Sequence, residues 1–184
     1  MIGIRSLRGW LGALVLLLSV IGAASPQRLE LRGLLPAATL GGSSRFTYWG
    51  FAIYDASLWI EPGFQASGYE RHVFALELTY LRDFTNQAIT RRSLEEMQRL
   101  PGFPPAQRMP WQKALRNAFP DVHKGDRITG VNRPGIGIEF VTNGQPSGTI
   151  RDPEFARLFF GIWLSDHTSE PRLREALLAG VTPK

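Results

Sequence analysis

Residues 45–61 read RFTYWGFAIYDASLWIE, a stretch with apolar side chains on both parities. One parity carries Phe46, Tyr48, Ala52, Tyr54, Ala56, Leu58 and Ile60. The other carries Trp49, Phe51, Ile53 and Trp59, with Arg45, Asp55 and Ser57 among them. A strand apolar on both faces must lie between two layers of structure. This stretch predicts one long buried strand, bent at Gly50 and ended by Pro62-Gly63. A chain of 184 residues with 43% hydrophobic residues can supply those layers within one domain.

The remaining elements follow from period and punctuation. Arg28–Arg32 alternates strictly, as a half-buried strand does. Gly33–Gly42 reads as a loose connection. His72–Leu81 places His72, Phe74, Leu76, Leu78 and Tyr80 on an apolar face, with Val73, Ala75, Glu77 and Thr79 opposite. Asp83 or Thr85 can cap a helix running to about Leu100, with Ile89, Met97 and Leu100 inward and Arg91, Arg92, Glu95 and Glu96 outward. Pro110 suits a first helical turn. Trp111, Ala114, Leu115, Ala118 and Phe119 form one stripe after it. Strands return at about 126–131 and 137–142, and Asn143-Gly144 predicts a tight hairpin into residues 147–150. Asp152 and Pro153 open a helix with Phe155, Leu158, Phe159, Ile162 and Trp163 on one stripe, and a short helix spans about 170–178. Antiparallel strands with such helices define an α+β class, an antiparallel sheet with helices packed on one face.

Residues 1–24 stand apart. Arg5 and Arg8 precede an apolar run from Trp10 to Ile21, and the small residues Gly22 and Ala24 suit cleavage before Ser25. That layout is a secretory signal, and the run is shorter than the roughly 20 residues that span a bilayer. The alternative is an uncleaved anchor. The expected domain is 25–184, exported to a periplasm or beyond, with no stable membrane insertion once the signal is removed. Its charge would fall from +5 to +3 with the loss of Arg5 and Arg8.

Composition and spacing narrow the chemistry. The chain has no cysteine, which excludes thiol catalysis and cysteine-bound metals. His72, His123 and His167 lack metal-ligand spacing, so no metal and no cofactor is expected. Gly135-x-Gly137 lacks the third glycine and following helix of a nucleotide cradle. The arginines are scattered singly and the aromatics lie on apolar stripes, so no nucleic-acid partner is expected. Arg45 and Asp55 remain, two charges in the most apolar stretch, each of which must be paired or reach water. Arg45 either binds an anion in an apolar cleft or closes a tie to Asp55.

The run GGSSRFTYWGFAIYDASLWIEP resembles the chalcone isomerase-like proteins of bacteria. So do FALELTYLRDF, ITRRSLEEM, FPDVHKGDRITGV, FVTNGQPSGTI and DPEFARLFFGIWLSD, in that order along the chain. The resemblance implies the chalcone isomerase-like fold, with a cleft between sheet and helices. It also implies that Arg45 faces a ligand's oxygen or carboxylate, and that Tyr54 is the tyrosine of the family's V-Y-x-A pattern, with Ile53 in place of the valine; either Tyr54 or Asp55 takes the place of the plant enzymes' water-ordering threonine. The catalytic tyrosine of the plant enzymes falls near Ala88 or Ile89, which carry no hydroxyl. No catalytic residue is therefore assigned. A donor of that kind is typically worth ~3 kcal/mol of transition-state stabilisation. The expectation is a non-catalytic binder of a small apolar ligand such as a fatty acid, with Arg45 and Tyr54 as ligand-binding residues. One alternative is an intramolecular lyase acting on a chalcone-like phenolic ketone. Another is an interaction scaffold whose cleft is filled by Trp49, Phe51 and Trp59.

Overall fold

A computed structural model describes residues 33–181. The signal segment and the alternating run Arg28–Arg32 lie outside the described residues. Six strands form one antiparallel sheet in sequential order: β1 (Thr39–Tyr48), β2 (Phe51–Ile60), β3 (Phe74–Tyr80), β4 (Arg127–Arg133), β5 (Gly137–Thr142) and β6 (Gln145–Ile150). Among the described residues, four complete α-helices accompany it: α1 (Asn86–Arg99), α2 (Arg108–Ala118), α3 (Pro153–Leu164) and α4 (Pro171–Leu177). Among the sheet contacts, α2 meets β6, α3 meets β5 and α4 meets β1 and β2.

Residues 45–61 are two strands and not one. Tyr48 pairs with Phe51 across a two-residue turn, Trp49-Gly50, in which both residues have positive φ (51° and 78°). Such a turn matches the twist of the strands it joins. The loose connection expected up to Gly42 is likewise strand from Thr39 onward.

Local signals place most other elements where the sequence predicts them. Thr85 caps α1 by accepting the Ala88 N–H, and Asp152 caps α3 by accepting from Glu154 and Phe155. The Asn143-Gly144 turn joins β5 to β6 with positive φ at both residues.

Alternation sorts the sheet into two faces. On the helix face, Leu58, Leu76, Gly130, Phe140 and Gly148 form one cross-strand row. Phe74, Phe140, Phe155 and Phe160 lie fully buried in the core above it. Gly42 is there for access: a Cβ would stand 2.2 Å from the Ala176 carbonyl oxygen, so α4 rests directly on the β1 backbone. The opposite face carries a small second cluster of Leu35, Ala75 and Val131, against which Trp59 packs.

Candidate functional site

A cavity of about 400 Å³ lies between the helix face of the sheet and the helices α1 and α3. Its floor comes from Phe46, Tyr54, Leu76, Leu78, Tyr80 and Phe140. Ala88, Ile89, Arg92, Ser93 and Glu96 of α1 form one wall. Phe159, Ile162 and Trp163 of α3 form another, and Ser169, Glu170 and Leu173 close the end beyond α3. Strand alternation and the α3 stripe both aim their apolar sets at this space. Ala88 on α1 contributes only a methyl group to this lining.

The walls are unequal in polarity. The α2-facing end is hydrocarbon, from Phe119, Ile128, Phe140 and Phe159. The opposite end gathers Tyr54, Arg92, Glu96 and Ser169. Trp163 Nε1 donates to Tyr54 Oη at 3.0 Å, which leaves the tyrosine's own proton to be donated elsewhere. Phe46 stacks on Tyr54 with ring centroids 5.1 Å apart, and Tyr80 meets it edge-on at 6.3 Å. Burial drives the hydroxyl pKa of both tyrosines well above the usual phenol range, so both stay neutral.

Glu96 is buried, contrary to the solvated helix face that the sequence predicts for it. Ser169 Oγ donates to its Oε2 at 2.7 Å. Arg92 Nη2 stands 2.7 Å from Oε1, and Arg99 Nε is 3.7 Å away. The Arg92 contact is one of charge: its angles do not make a hydrogen bond, so Oε1 remains a buried acceptor without a donor among the described residues. Arg92 Nη1 reaches Glu95 only at 3.9 Å. Its guanidinium therefore keeps donors in hand at the polar end of the cavity.

Arg45 is elsewhere. It pairs with Asp55 across β1 and β2, one position off the Phe46–Tyr54 pair, so both charges project from the far face of the sheet. The pair is bidentate, with Nε to Oδ1 at 2.7 Å and Nη2 to Oδ2 at 2.9 Å, and the Arg45 side chain is 57% exposed. The hydrogen bond from Arg45 holds the Asp55 carboxyl below its ordinary range. The expectation that Arg45 anchors a ligand in the cleft is corrected: it does not line the cavity. Of the two expected site residues only Tyr54 does. The neighbours of Arg92 read as a solvated face, and its side chain is indeed 47% exposed; only the packing of Ser169 against Glu96 makes a polar end of the cavity beside it.

Arg45→Ala is accordingly expected to leave occupancy of the cavity unchanged while the Asp55 pKa returns towards the ordinary carboxylate value. The sign follows from the depressed folded value: whatever stability the pair lends is present above the ordinary Asp pKa and fades as pH falls through the lowered one. An NMR titration of the Asp55 carboxyl in both proteins checks this.

The scaffold alternative also meets the geometry. Trp49 and Phe51 are exposed and Trp59 packs on the far face, so none of the three fills the cavity. Ala88 and Ile89 do line it, where the resemblance sets the plant tyrosine. Among the described residues no cluster of metal-ligating side chains occurs, and no helix is long and apolar enough to cross a membrane.

Sheet, helix layer and intervening cavity together define an α+β fold of chalcone isomerase-like type. A family model described as chalcone isomerase-like matches residues 37–179, and the chain belongs to that family. Among solved structures, it is similar to a fatty-acid binding protein of Arabidopsis thaliana, with a TM-score of 0.62 and 12% identity. That match covers 77% of this chain and 87% of the Arabidopsis one. No curated protein matches it.

Proposed function

We propose that this protein is a non-catalytic binder of one apolar molecule with a small acidic head, of fatty-acid type, exported by means of residues 1–24. The cavity carries the reading: about 400 Å³, mostly hydrocarbon, with its polar groups gathered at one end. That size falls in the usual range for small-molecule sites, roughly 300–1,000 Å³. Each methylene taken from water contributes about 0.8 kcal/mol. At the polar end, Arg92 supplies a fixed positive charge and Tyr54 a neutral hydroxyl donor. The fatty-acid binding relative of the same fold supports the ligand class. The absence of a hydroxyl at Ala88 and Ile89 supports the lack of isomerase chemistry.

Titration of the delipidated chain with palmitate, followed by native mass spectrometry, tests this. One equivalent is expected to bind. Arg92→Gln is expected to weaken binding roughly tenfold or more, as loss of a charged hydrogen bond does. Because Arg92 also neutralises Glu96, Arg92→Gln combined with Glu96→Gln serves as the fold control and is expected to show the same loss. Palmitate that fails to bind the wild type, or binds both variants unchanged, overturns the reading. Turnover of a chalcone by the wild type replaces it with the isomerase.

A further inference from the structure

The β1–β2 turn exposes three large aromatics, Tyr48, Trp49 and Phe51, around one glycine. Tyr48 is 52% exposed, Trp49 85% and Phe51 59%. The other exposed large apolar residues, Leu40, Met109 and Ile136, are scattered singly. Single exposed apolar residues are ordinary, but a cluster at a projecting tip marks an interaction surface. Trp49 moreover holds a positive φ of 51°, a conformation that bulky residues avoid. A glycine or asparagine would occupy that position without strain, and a buried tryptophan would have packing to compensate for it. This indole has neither excuse within the described fold.

The surroundings of the tip are cationic. The Arg82 guanidinium lies 4.8 Å over the Phe51 ring, and that of Arg92 lies 5.8 Å over Tyr48. Arg82 has no carboxylate within ion-pair distance among the described residues. Its neighbour Asp83 is engaged by the Lys124 N–H and by His123. Arg91 and Arg92 line the cavity, and so does Tyr48, which makes the tip continuous with the cavity's polar end.

We infer that the β1–β2 tip docks on an anionic lipid bilayer, with Trp49 and Phe51 in the interface and Arg82 against lipid phosphates, and so turns the cavity's polar end towards the membrane. Tryptophan and tyrosine favour the headgroup level, where an apolar ring and a polar edge are both served. Arginines beside them complement anionic lipid. The role of the surface, exchange of an apolar ligand with a membrane, rests on the proposed function; the docking itself does not.

The test uses the full chain and vesicles of equal parts phosphatidylglycerol and phosphatidylcholine carrying brominated acyl chains. Bromine quenches an indole that enters the interface. The difference between wild type and Trp49→Phe isolates Trp49 from the other four tryptophans, and the N-terminal apolar segment is common to every arm. The Trp49 component is expected to be quenched by the mixed vesicles and several-fold less by phosphatidylcholine alone. Arg82→Gln is expected to raise the lipid concentration needed about fivefold, as one lost cation near a charged surface does. An unquenched Trp49 component overturns the inference, as does quenching indifferent to both lipid charge and Arg82. A dimer in solution that Trp49→Ser dissolves also overturns it, in favour of a second copy as occupant. Trp49→Ser is expected to bind soluble palmitate as the wild type does. Failure of the tip and failure of the cavity therefore give different results.

Discussion

Phe160→Ala is expected to lower the free energy of unfolding by about 3–5 kcal/mol, the usual range for deleting a fully buried phenyl ring. Phe160 is 0% exposed and sits on the inward side of α3. Its ring meets Phe74 of β3 edge-on at 4.6 Å and Phe159 at 5.7 Å. Below it is Gly130 of β4, where a Cβ would already stand 3.3 Å from the ring. With glycine beneath the ring, β4 has no side chain directly below to fill the vacated space. The cavity term should then add to the transfer term with little relief. A domain of this size is stable by some 5–15 kcal/mol, so the loss is a large fraction of the total. Urea denaturation with an unchanged slope would confirm it. A loss under about 1.5 kcal/mol would show that α3 does not rest on the sheet as described. Phe160 does not line the ligand cavity, so palmitate binding should persist under conditions where the variant is folded.

Asp152→Ala is expected to cost about 2–4 kcal/mol, because one carboxylate serves two purposes. Its Oδ1 accepts the Glu154 and Phe155 N–H groups at 3.0 Å, which caps α3. Its Oδ2 accepts Trp111 Nε1 of α2 at 2.8 Å. Losing an N-cap costs ~1 kcal/mol, and a buried indole N–H left without an acceptor costs ~1–3 more. Trp111 is itself 3% exposed and packs edge-on against Phe103 and Phe155, so water cannot replace the lost acceptor cheaply. Asp152→Asn separates the two effects, since its side-chain oxygen can cap the helix while its amide cannot accept from Trp111. It is expected to fall between wild type and alanine in thermal unfolding. A variant Asp152→Ala as stable as the wild type would mean that the α2–α3 tie is not formed.

Much of this architecture was legible because its causes are local. The alternation of β3, the Thr85 and Asp152 caps and the Asn143-Gly144 turn each depend on a few neighbouring residues, and all are found. The β1–β2 hairpin reads as one bent strand for a physical reason. A two-residue turn normally flips parity, since Tyr48 pairs with Phe51. Here the register shifts between Phe46 and Thr47, so that Phe46 pairs with Tyr54 and Ile53 is left over. This bulge cancels the flip. Phe46 before the turn and Tyr54, Ala56 and Leu58 beyond the bulge therefore share the helix face, and the sequence reads as if no turn were there.

The sequence by itself determined which side of each element is apolar, where helices start and that Arg45 and Asp55 share a parity. Only the tertiary structure decided that those two charges satisfy each other on the far face, that Glu96 is enclosed and that Arg92 stands at the cavity. Periodicity is a property of one element, whereas a cavity is the space that several elements fail to fill between them. Which cation faces that space depends on the register of β1 against β2 and on what packs over α1, and neither is written in any short run of residues.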